Sequence, residues 1–416
     1  MVELKAMVDR ALHSLLIALL LASGWLLFTV RPIYADEYCH YEEAILSIVE
    51  ARWLGHPECV LTLPTYHFLT AGLMKLLSWH SLLEARATNA FWAFSLLWLA
   101  FSWRQNDTRW FRWLKSLQLG FFPLLMPYFF LTYTDTLSLL VMLLSLYLYE
   151  GNWRKSSAFM HLISVAVRQT QIIWLMFCLV LELRRFASDR ETRFGSGQKS
   201  IVALVRLIWP ELFVLAIFGA VVMWIGRLTV SSGLSHPSFV LRLENVWLFF
   251  GLLPVLFLPY LLNSIPRLVE RMRQEWLGMA LVVAALGFLF SFTWHVDHPF
   301  NNPGQFDVFF IHNWVVEAIT QNLWLRISAF VAVIFGIWLL IDWPFLKSEH
   351  RWFIPFGLLM LAFHWLIETR YQLPLLAFLL LQRRASSRSL ELAQFFYQLV
   401  FSFAIFWLLI TTELFL

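Results

Sequence analysis

Long apolar runs recur along this 416-residue chain from Leu12 to Leu416, and a water-soluble fold could not bury so much apolar surface. Hydrophobic residues make up 60% of the chain and charged residues 14%, whereas soluble domains contain about 45–50% and about 25%. The runs are continuous rather than alternating, which disfavours a transmembrane β-barrel. The sequence therefore predicts an all-α polytopic membrane protein in which residues 1–416 form a single transmembrane domain.

The apolar runs locate the spans, since a helix needs about 20 residues to cross a bilayer. Runs of suitable length lie at 12–30, 84–103, 116–133, 134–150, 208–230, 243–263, 276–296, 325–345, 352–368 and 394–414. Shorter candidates lie at 64–80, 156–168, 170–183 and 371–382, and segments of that kind form half-helices or pair around a polar centre. We expect a bundle of about 12–14 transmembrane helices.

The distribution of charge predicts which loops face the cytoplasm, because cytoplasmic loops carry an excess of Lys and Arg. Loop 184–207 holds six Lys and Arg against two carboxylates, whereas segment 31–63 holds six carboxylates against two arginines. We therefore place 184–207 in the cytoplasm and 31–63 on the lumenal or extracellular side. Between the lumenal segment 31–63 and the cytoplasmic basic loop 104–115, the chain must then cross the membrane an odd number of times. Two apolar runs, 64–80 and 84–103, lie between them, so one of the two does not span. We interpret 64–80 as a re-entrant or interfacial helix of a lumenal loop 31–83; the alternative is that 64–80 spans fully.

Polar clusters interrupt the apolar runs, and on this topology all of them fall on the lumenal side. The clusters are Asp36 with Glu37, Arg86 with Asn89, 133–135, 168–170, 231–238, 295–312 and 368–371. Seven clusters would not be expected to share a face by chance. We therefore expect them to line one cavity.

The acidic pair Asp36 and Glu37 follows the first apolar run and precedes an expected amphipathic helix. Ile45, Ile48 and Val49 recur there at helical spacing, so that helix should lie flat on the bilayer surface. One carboxylate of the pair can take a proton from an attacking hydroxyl while the other orients that hydroxyl. The alternative is that both are ordinary solvated acids of a lumenal loop.

Arg168 and Arg370 each lie where an apolar run breaks. A charged side chain near membrane depth is costly, so it is usually paired or functional, and the guanidinium group suits forked recognition of phosphate. Alternatively, Arg370 pairs with Glu368 and Arg168 extends to the membrane surface. Asp135 lies between two long apolar runs, where it could cap the following helix, line the cavity, or do both.

The remaining candidates are weaker. His295, Asp297 and His298 could hold a metal ion, but their spacing is not diagnostic. Cys39 and Cys59 share the lumenal segment and either pair with each other or are free thiols. The net charge of +4 does not indicate a nucleic-acid partner, since surplus Lys and Arg in membrane proteins usually lie in cytoplasmic loops.

Taken in order, these clusters resemble the GT-C superfamily of polyprenyl-phosphate-sugar-dependent glycosyltransferases. More narrowly, the chain is similar to the dolichyl-phosphoglucose-dependent α-1,2-glucosyltransferase family of lipid-linked oligosaccharide assembly, as a divergent member. The matching pieces are Asp36-Glu37 with His40, 62–66, 86–89, 121–123, 133–135, 168–174, 298–300 and 368–371. They extend along nearly the whole chain in the family's order.

The resemblance implies a multi-pass enzyme of the endoplasmic reticulum membrane with a lumenal active site. It would transfer glucose from dolichyl-phosphoglucose to a lipid-linked oligosaccharide, with inversion, to form the terminal α-1,2 linkage for N-glycosylation. Membrane lipids are its other implied partners, and neither a cofactor nor a metal is required. The implied catalytic base is Asp36, with Glu37 as close second, and Arg370 and Arg168 bind the lipid phosphate. The implied substrate-binding residues are Asp135, His236, His298, Asn89 and Tyr371.

Three alternatives remain open. The first is another polyprenyl-phosphate-sugar transferase of the same superfamily, such as a mannosyltransferase. The second is a transporter or flippase, which would open its cavity alternately to both faces and often contains an internal repeat. The third is a membrane scaffold without catalytic activity.

Overall fold

The computed structural model describes residues 20, 22, 24, 37–53, 55, 57, 59–60, 62–103, 108–193, 201–226, 240–298, 301 and 314–411. Over this part of the chain the fold is helical and contains no β-strand, apart from one isolated bridge between Phe345 and Arg383. The all-α prediction is therefore confirmed. The expected first span at 12–30 lies outside the described residues except for three positions.

The described residues form α-helices joined mostly by short turns. A π-helical segment, Tyr38–Leu46, continues into the short helix Ser47–Val49. The longer helices are α1 Thr65–Leu76, α2 Leu82–Ser102, α3 Arg109–Gly120, α4 Thr134–Glu150, α5 Arg154–Val167, α6 Ile172–Arg193, α7 Ile201–Ile225, α8 Glu244–Leu256, α9 Leu258–Thr293, α10 Trp314–Gln321, α11 Leu323–Ile341, α12 Phe353–Ala362, α13 Leu373–Leu381 and α14 Arg388–Thr411.

The chain divides into two compact units. The first comprises Met1–Pro57, His67–Thr136 and Ala385–Phe415, and the second comprises chiefly Glu58–Tyr66 and Leu137–Arg384. The first unit contains α2, α3 and α14, and the second contains α5 to α13 with nearly all of α4.

In the first unit, α3 packs against α2 and α14 and carries polar side chains that bridge them. Ser116 donates a hydrogen bond to the Leu97 carbonyl at 2.8 Å, and Gln118 donates one to the Glu391 carbonyl at 3.0 Å. The prediction of a single span over 116–133 is wrong, because α3 ends at Gly120. Proline has no N–H for a helical hydrogen bond, and Pro123 and Pro127 leave only a 3-10 turn at Met126–Phe129.

In the second unit, the apolar runs 243–263 and 276–296 are not separated by a loop. The residues 267–273 lie inside α9, and the break falls instead between α8 and α9, at Phe257, which has the non-helical angles φ −121° and ψ 37°. The basic stretch is helical because Arg, Leu, Glu and Met, which make up most of it, are all good helix formers. A second local break occurs within α9 at Glu275, with φ −125° and ψ 29°.

Four of the described helices are long and apolar enough to cross a membrane, which confirms a polytopic membrane protein. These helices are Val202–Ile225, Leu258–Thr293, Leu323–Ile341 and Arg388–Thr411. The shorter apolar helices Glu244–Leu256 and Thr369–Leu381 add to them. The total number of spans and their orientation stay predictions.

Helix α1 has 12 residues and is therefore about 18 Å long. The hydrocarbon core of a bilayer is about 30 Å thick. The interpretation of this segment as re-entrant or interfacial stays a prediction.

Candidate active site

The predicted site residues fall into three groups. Asp36 and His236 lie outside the described residues, so their roles stay predictions. Glu37, Asn89 and Asp135 belong to the first unit, and the residues Arg168, His298, Arg370 and Tyr371 belong to the second.

Glu37 is buried in a fully paired arrangement. Its carboxylate accepts two hydrogen bonds from Arg86, from Nε to Oε1 at 3.0 Å and from Nη2 to Oε2 at 2.6 Å. The backbone N–H of Thr132 donates a third, at 2.7 Å, to Oε1. The side chain of Glu37 is 0% exposed and that of Arg86 is 1% exposed. A forked ion pair of this kind fixes geometry as well as charge, so Glu37 is anchored to α2 and to the chain that precedes α4.

Arg86 and Asn89 lie three residues apart on α2 and therefore share one face of that helix. The amide nitrogen of Asn89 donates hydrogen bonds to the carbonyls of Tyr128 and Leu131, both at 2.6 Å. Each carbonyl also accepts a second hydrogen bond, Tyr128 from the Thr136 hydroxyl at 2.6 Å and Leu131 from the Tyr133 N–H at 2.9 Å. Asn89 thus organises the same segment whose Thr132 N–H holds Glu37.

The first unit also contains a pair of histidines, and the sequence predicts a site role for neither of them. His40 Nδ1 and His67 Nε2 are 2.9 Å apart, with stacked rings, and Tyr133 approaches His40 edge-on at 5.5 Å. His67 comes from α1, 27 residues away in sequence, and no local motif marks it. Asp135 lies in the first turn of α4, where the helix dipole favours a carboxylate.

In the second unit, two arginines flank one tyrosine. The guanidinium carbons of Arg168 and Arg370 lie 5.5 Å and 5.9 Å from the ring centroid of Tyr371. Arg370 also donates through Nε and Nη2 to the carboxylate of Glu368, the latter at 2.8 Å. The structure therefore contains the alternative pairing of Arg370 with Glu368.

Two asparagines hold the segment that carries Arg370 and Tyr371. Asn245, on α8, donates to the carbonyls of His364 and Leu366 and accepts the Glu368 N–H at 3.3 Å. Asn301 pairs with the backbone of Ile367 in both directions, at 3.1 Å and 2.8 Å. Residues 364–368 are non-helical, so these side chains satisfy backbone groups that secondary structure does not.

His298 is buried beside a tryptophan. Its ring meets Trp365 edge-on at 4.7 Å. The indole N–H of Trp365 donates to Asp297 Oδ1 at 2.7 Å, and Arg242 Nη2 donates to Asp297 Oδ2 at 2.7 Å. Partial burial alone would raise the pKa of Asp297, but these two hydrogen bonds and the charge of Arg242 hold it below its ordinary value.

The three cysteines do not form a metal site with one another within the described residues. Cys39 and Cys59 are disulfide-bonded, and Cys178 is a buried free thiol. Within the described ranges, no three His, Cys, Asp or Glu side chains are grouped so that they could hold a metal ion.

Comparison with known proteins adds independent information. The model of the DIE2/ALG10 family matches residues 30–382 of this chain. A curated relative from Mus musculus, named Dol-P-Glc:Glc(2)Man(9)GlcNAc(2)-PP-Dol alpha-1,2-glucosyltransferase, is 26% identical over 323 residues. That alignment covers 63% of this chain and 66% of the relative, so the chain spans just under two thirds of the relative's length. No solved structure matches.

Proposed function

Because the chain belongs to the DIE2/ALG10 family, we propose that it transfers glucose from dolichyl-phosphoglucose to a lipid-linked oligosaccharide. The transfer forms a terminal α-1,2 linkage with inversion, on the lumenal side of the endoplasmic reticulum membrane. The observation that carries this proposal is the family match over 30–382, which includes the Glu37 group and the Arg168–Arg370 group. The printed name of the mouse relative supports the choice of donor and linkage.

The reaction needs one base and a stabilised leaving group. The 2-hydroxyl oxygen of the acceptor attacks C1 of the glucose, and the bond from C1 to the phosphate oxygen breaks. The proton passes to the base, and the electron pair leaves with dolichyl phosphate. We assign the base to Asp36 rather than to Glu37, because both carboxylate oxygens of Glu37 already accept hydrogen bonds from Arg86 or Thr132. Glu37 then acts as a positioning residue for its neighbour.

Arg168 and Arg370 are the proposed phosphate-binding groups. The departing phosphate gains negative charge as the bond to C1 breaks, and guanidinium groups stabilise it by charge-assisted hydrogen bonds. Glu368 orients Arg370 through a forked contact, while the ring of Tyr371 lies against both arginines. Asn89, Asp135, His236, His298 and Tyr371 remain proposed substrate-binding residues.

Two observations support a lumenal active site. Segment 31–63 is acidic, whereas loop 184–207 is basic and expected in the cytoplasm. The disulfide-bonded state of Cys39 and Cys59 fits an oxidising compartment such as the lumen of the endoplasmic reticulum.

A transfer assay tests the proposal. The purified full chain is given radiolabelled dolichyl-phosphoglucose and lipid-linked oligosaccharides that are truncated by one glucose at a time. We expect transfer to the acceptor that lacks only the terminal glucose, and loss of transfer in Asp36→Asn. The matched control is Glu43→Gln, an exposed acid of the same segment, which should retain activity.

The other outcomes separate the alternatives. Transfer from dolichyl-phosphomannose instead would identify a mannosyltransferase of the same superfamily. No transfer from either donor would contradict the proposed activity and favour a transporter or a scaffold. Normal transfer in Asp36→Asn would remove only the assignment of the base.

A further inference from the structure

Three segments of the second unit meet around the carboxylate of Asp297. Arg242 precedes α8, Asp297 follows α9, and Trp365 follows α12. Arg242 and Trp365 donate to different oxygens of Asp297, each at 2.7 Å. The Arg242 backbone N–H donates to the Ala362 carbonyl at 2.7 Å, which fixes this arginine against the end of α12. The buried His298 ring supports Trp365 edge-on at 4.7 Å.

This group is rigidly held yet open to solvent. The side chain of Asp297 is 50% exposed and that of Arg242 is 27% exposed, and Trp365 is half-buried. An ion pair this exposed adds little to stability, about 0–1 kcal/mol. Stability therefore does not explain why the indole N–H and a guanidinium group both bind one surface carboxylate.

The chemistry of the group matches a sugar. A pyranose ring has a face of C–H groups, which packs on an aromatic ring, and a rim of hydroxyls, which donate to carboxylates and accept from guanidinium groups. Ligand sites combine aromatic walls with a few convergent polar groups in this way. Each carboxylate oxygen has two acceptor positions, so Asp297 can accept a hydroxyl while it keeps Arg242 and Trp365.

We propose that Arg242, Asp297 and Trp365 form a binding platform for a glucopyranosyl unit, a site that rests on the proposed function. Its place in the chain supports this: the adjacent His364 ring lies 4.2 Å from the ring of Tyr371, which in turn contacts Arg168 and Arg370. His364 therefore links the segment that carries Trp365 to the residues of the proposed phosphate-binding group. The glucopyranosyl unit belongs either to the donor or to the end of the acceptor.

Steady-state kinetics of the full chain distinguish the two sources. In Trp365→Leu we expect the KM of one substrate to rise roughly tenfold with kcat little changed, because the lost contact is made equally in the ground and transition states. A rise in the donor KM assigns the platform to the donor glucose, and a rise in the acceptor KM assigns it to the acceptor. Trp365→Phe, which keeps an aromatic face, should raise the same KM less than Trp365→Leu does. Trp324→Leu, at an exposed tryptophan of α11, is the matched control.

A second variant and a direct binding measurement complete the test. Asp297→Asn keeps the shape of the side chain but removes its charge, and should raise the same KM. Saturation-transfer NMR with methyl α-glucopyranoside as probe should give a signal that is lost in Trp365→Leu. Unchanged KM values in both variants, in a chain that does transfer glucose, would overturn the platform and leave the proposed function intact. If the chain transfers nothing, the NMR signal alone decides: equal signals in the wild-type chain and Trp365→Leu overturn the platform.

Discussion

At the scale of single residues, the pair of Glu37 and Arg86 gives the sharpest prediction. Breaking a buried ion pair leaves one charge without compensation, which costs about 3–5 kcal/mol. We therefore expect Arg86→Met to lower the Tm of the purified chain strongly, because Glu37 is fully buried. The double variant Glu37→Gln with Arg86→Met should be less destabilised, since it buries no charge. Thermal unfolding in detergent, followed by tryptophan fluorescence, measures both.

An exposed pair of the same unit is the control. Arg52 and Glu50 form an ion pair with side chains 67% and 37% exposed, and such pairs contribute about 0–1 kcal/mol. Arg52→Met should therefore change the Tm little. An Arg86→Met variant as stable as Arg52→Met would contradict the structural role given to the buried pair.

The candidate residues themselves were largely predictable, and their partners were not. A charged or amide side chain within an apolar chain is conspicuous, so Glu37, Asn89 and Arg370 could be identified from sequence. The partners of Glu37 could not be identified from sequence, because Arg86 lies 49 residues and Thr132 lies 95 residues away along the chain. His67 gave no local signal at all. Among the charged candidates, Glu368 lies only two residues from Arg370, so their pairing could be considered from sequence.

At the scale of elements, the start of α2 matters because this helix carries Arg86. Ser81 and Glu84 form a capping box, in which Ser81 accepts the Glu84 N–H and Glu84 accepts the N–H groups of Ser81 and His80. The bond from the Ser81 N–H is the main reason that the pKa of Glu84 lies below its ordinary value. Capping devices of this kind contribute about 0.3–1.5 kcal/mol.

The sign of the pH dependence follows from the lowered pKa. The contribution of Glu84 is complete above the ordinary carboxyl pKa of about 4.3 and is lost as pH falls through the lower folded value. We expect Glu84→Gln to lower the Tm at neutral pH, and this difference to shrink in acid. Tm measured from pH 7 downwards for both chains tests this. A difference that stays constant or grows in acid would contradict it.

Helices α8 and α11 pack so closely that one position tolerates only glycine. A Cβ added at Gly336 would overlap the backbone carbonyl of Phe250. Small residues allow such close approach between apolar helices, and backbone cannot move aside as a flexible side chain can. Gly336→Ala should therefore lower the Tm or the yield of folded chain. Gly278→Ala, where a Cβ meets nothing within 4 Å, should be neutral or slightly stabilising.

Helix boundaries were predictable wherever apolar character and helix-forming tendency coincide. The prediction of 134–150 matches α4 at both ends, and the break between 156–168 and 170–183 appears between α5 and α6. The two criteria diverge at 116–133, which is apolar but contains two prolines, and at 267–273, which is charged but helix-forming. Hydropathy reports the surroundings of a residue, whereas proline and intrinsic tendency decide whether the backbone can be helical.

At the scale of the whole molecule, the orientation in the membrane rests on a few short segments. The acidic segment 31–63 and the basic loops should lie on opposite sides, and α1 is the element that decides the parity between them. With 12 residues it is about 18 Å long, so a crossing would need flanking residues to continue through the bilayer without regular helix. Backbone groups exposed to lipid without partners are costly, which favours a helix that enters and leaves on one face.

Insertion of glycosylation acceptor sites tests this topology. A flexible linker with one Asn-x-Thr site is placed, in separate chains, at Gly55, at Ser78 between α1 and α2, and at Asn152 between α4 and α5, all exposed positions. In microsomes, we expect glycan addition at Gly55 and Ser78 and none at Asn152, because the microsomal enzyme that adds the glycan acts only on lumenal sites. Glycan at Gly55 but not at Ser78 would mean that α1 crosses the bilayer. Glycan at Asn152 alone would mean that the chain has the opposite orientation in the membrane. The Glu37 group would then lie on the cytoplasmic side, where a lumenal glucosyl transfer could not use it.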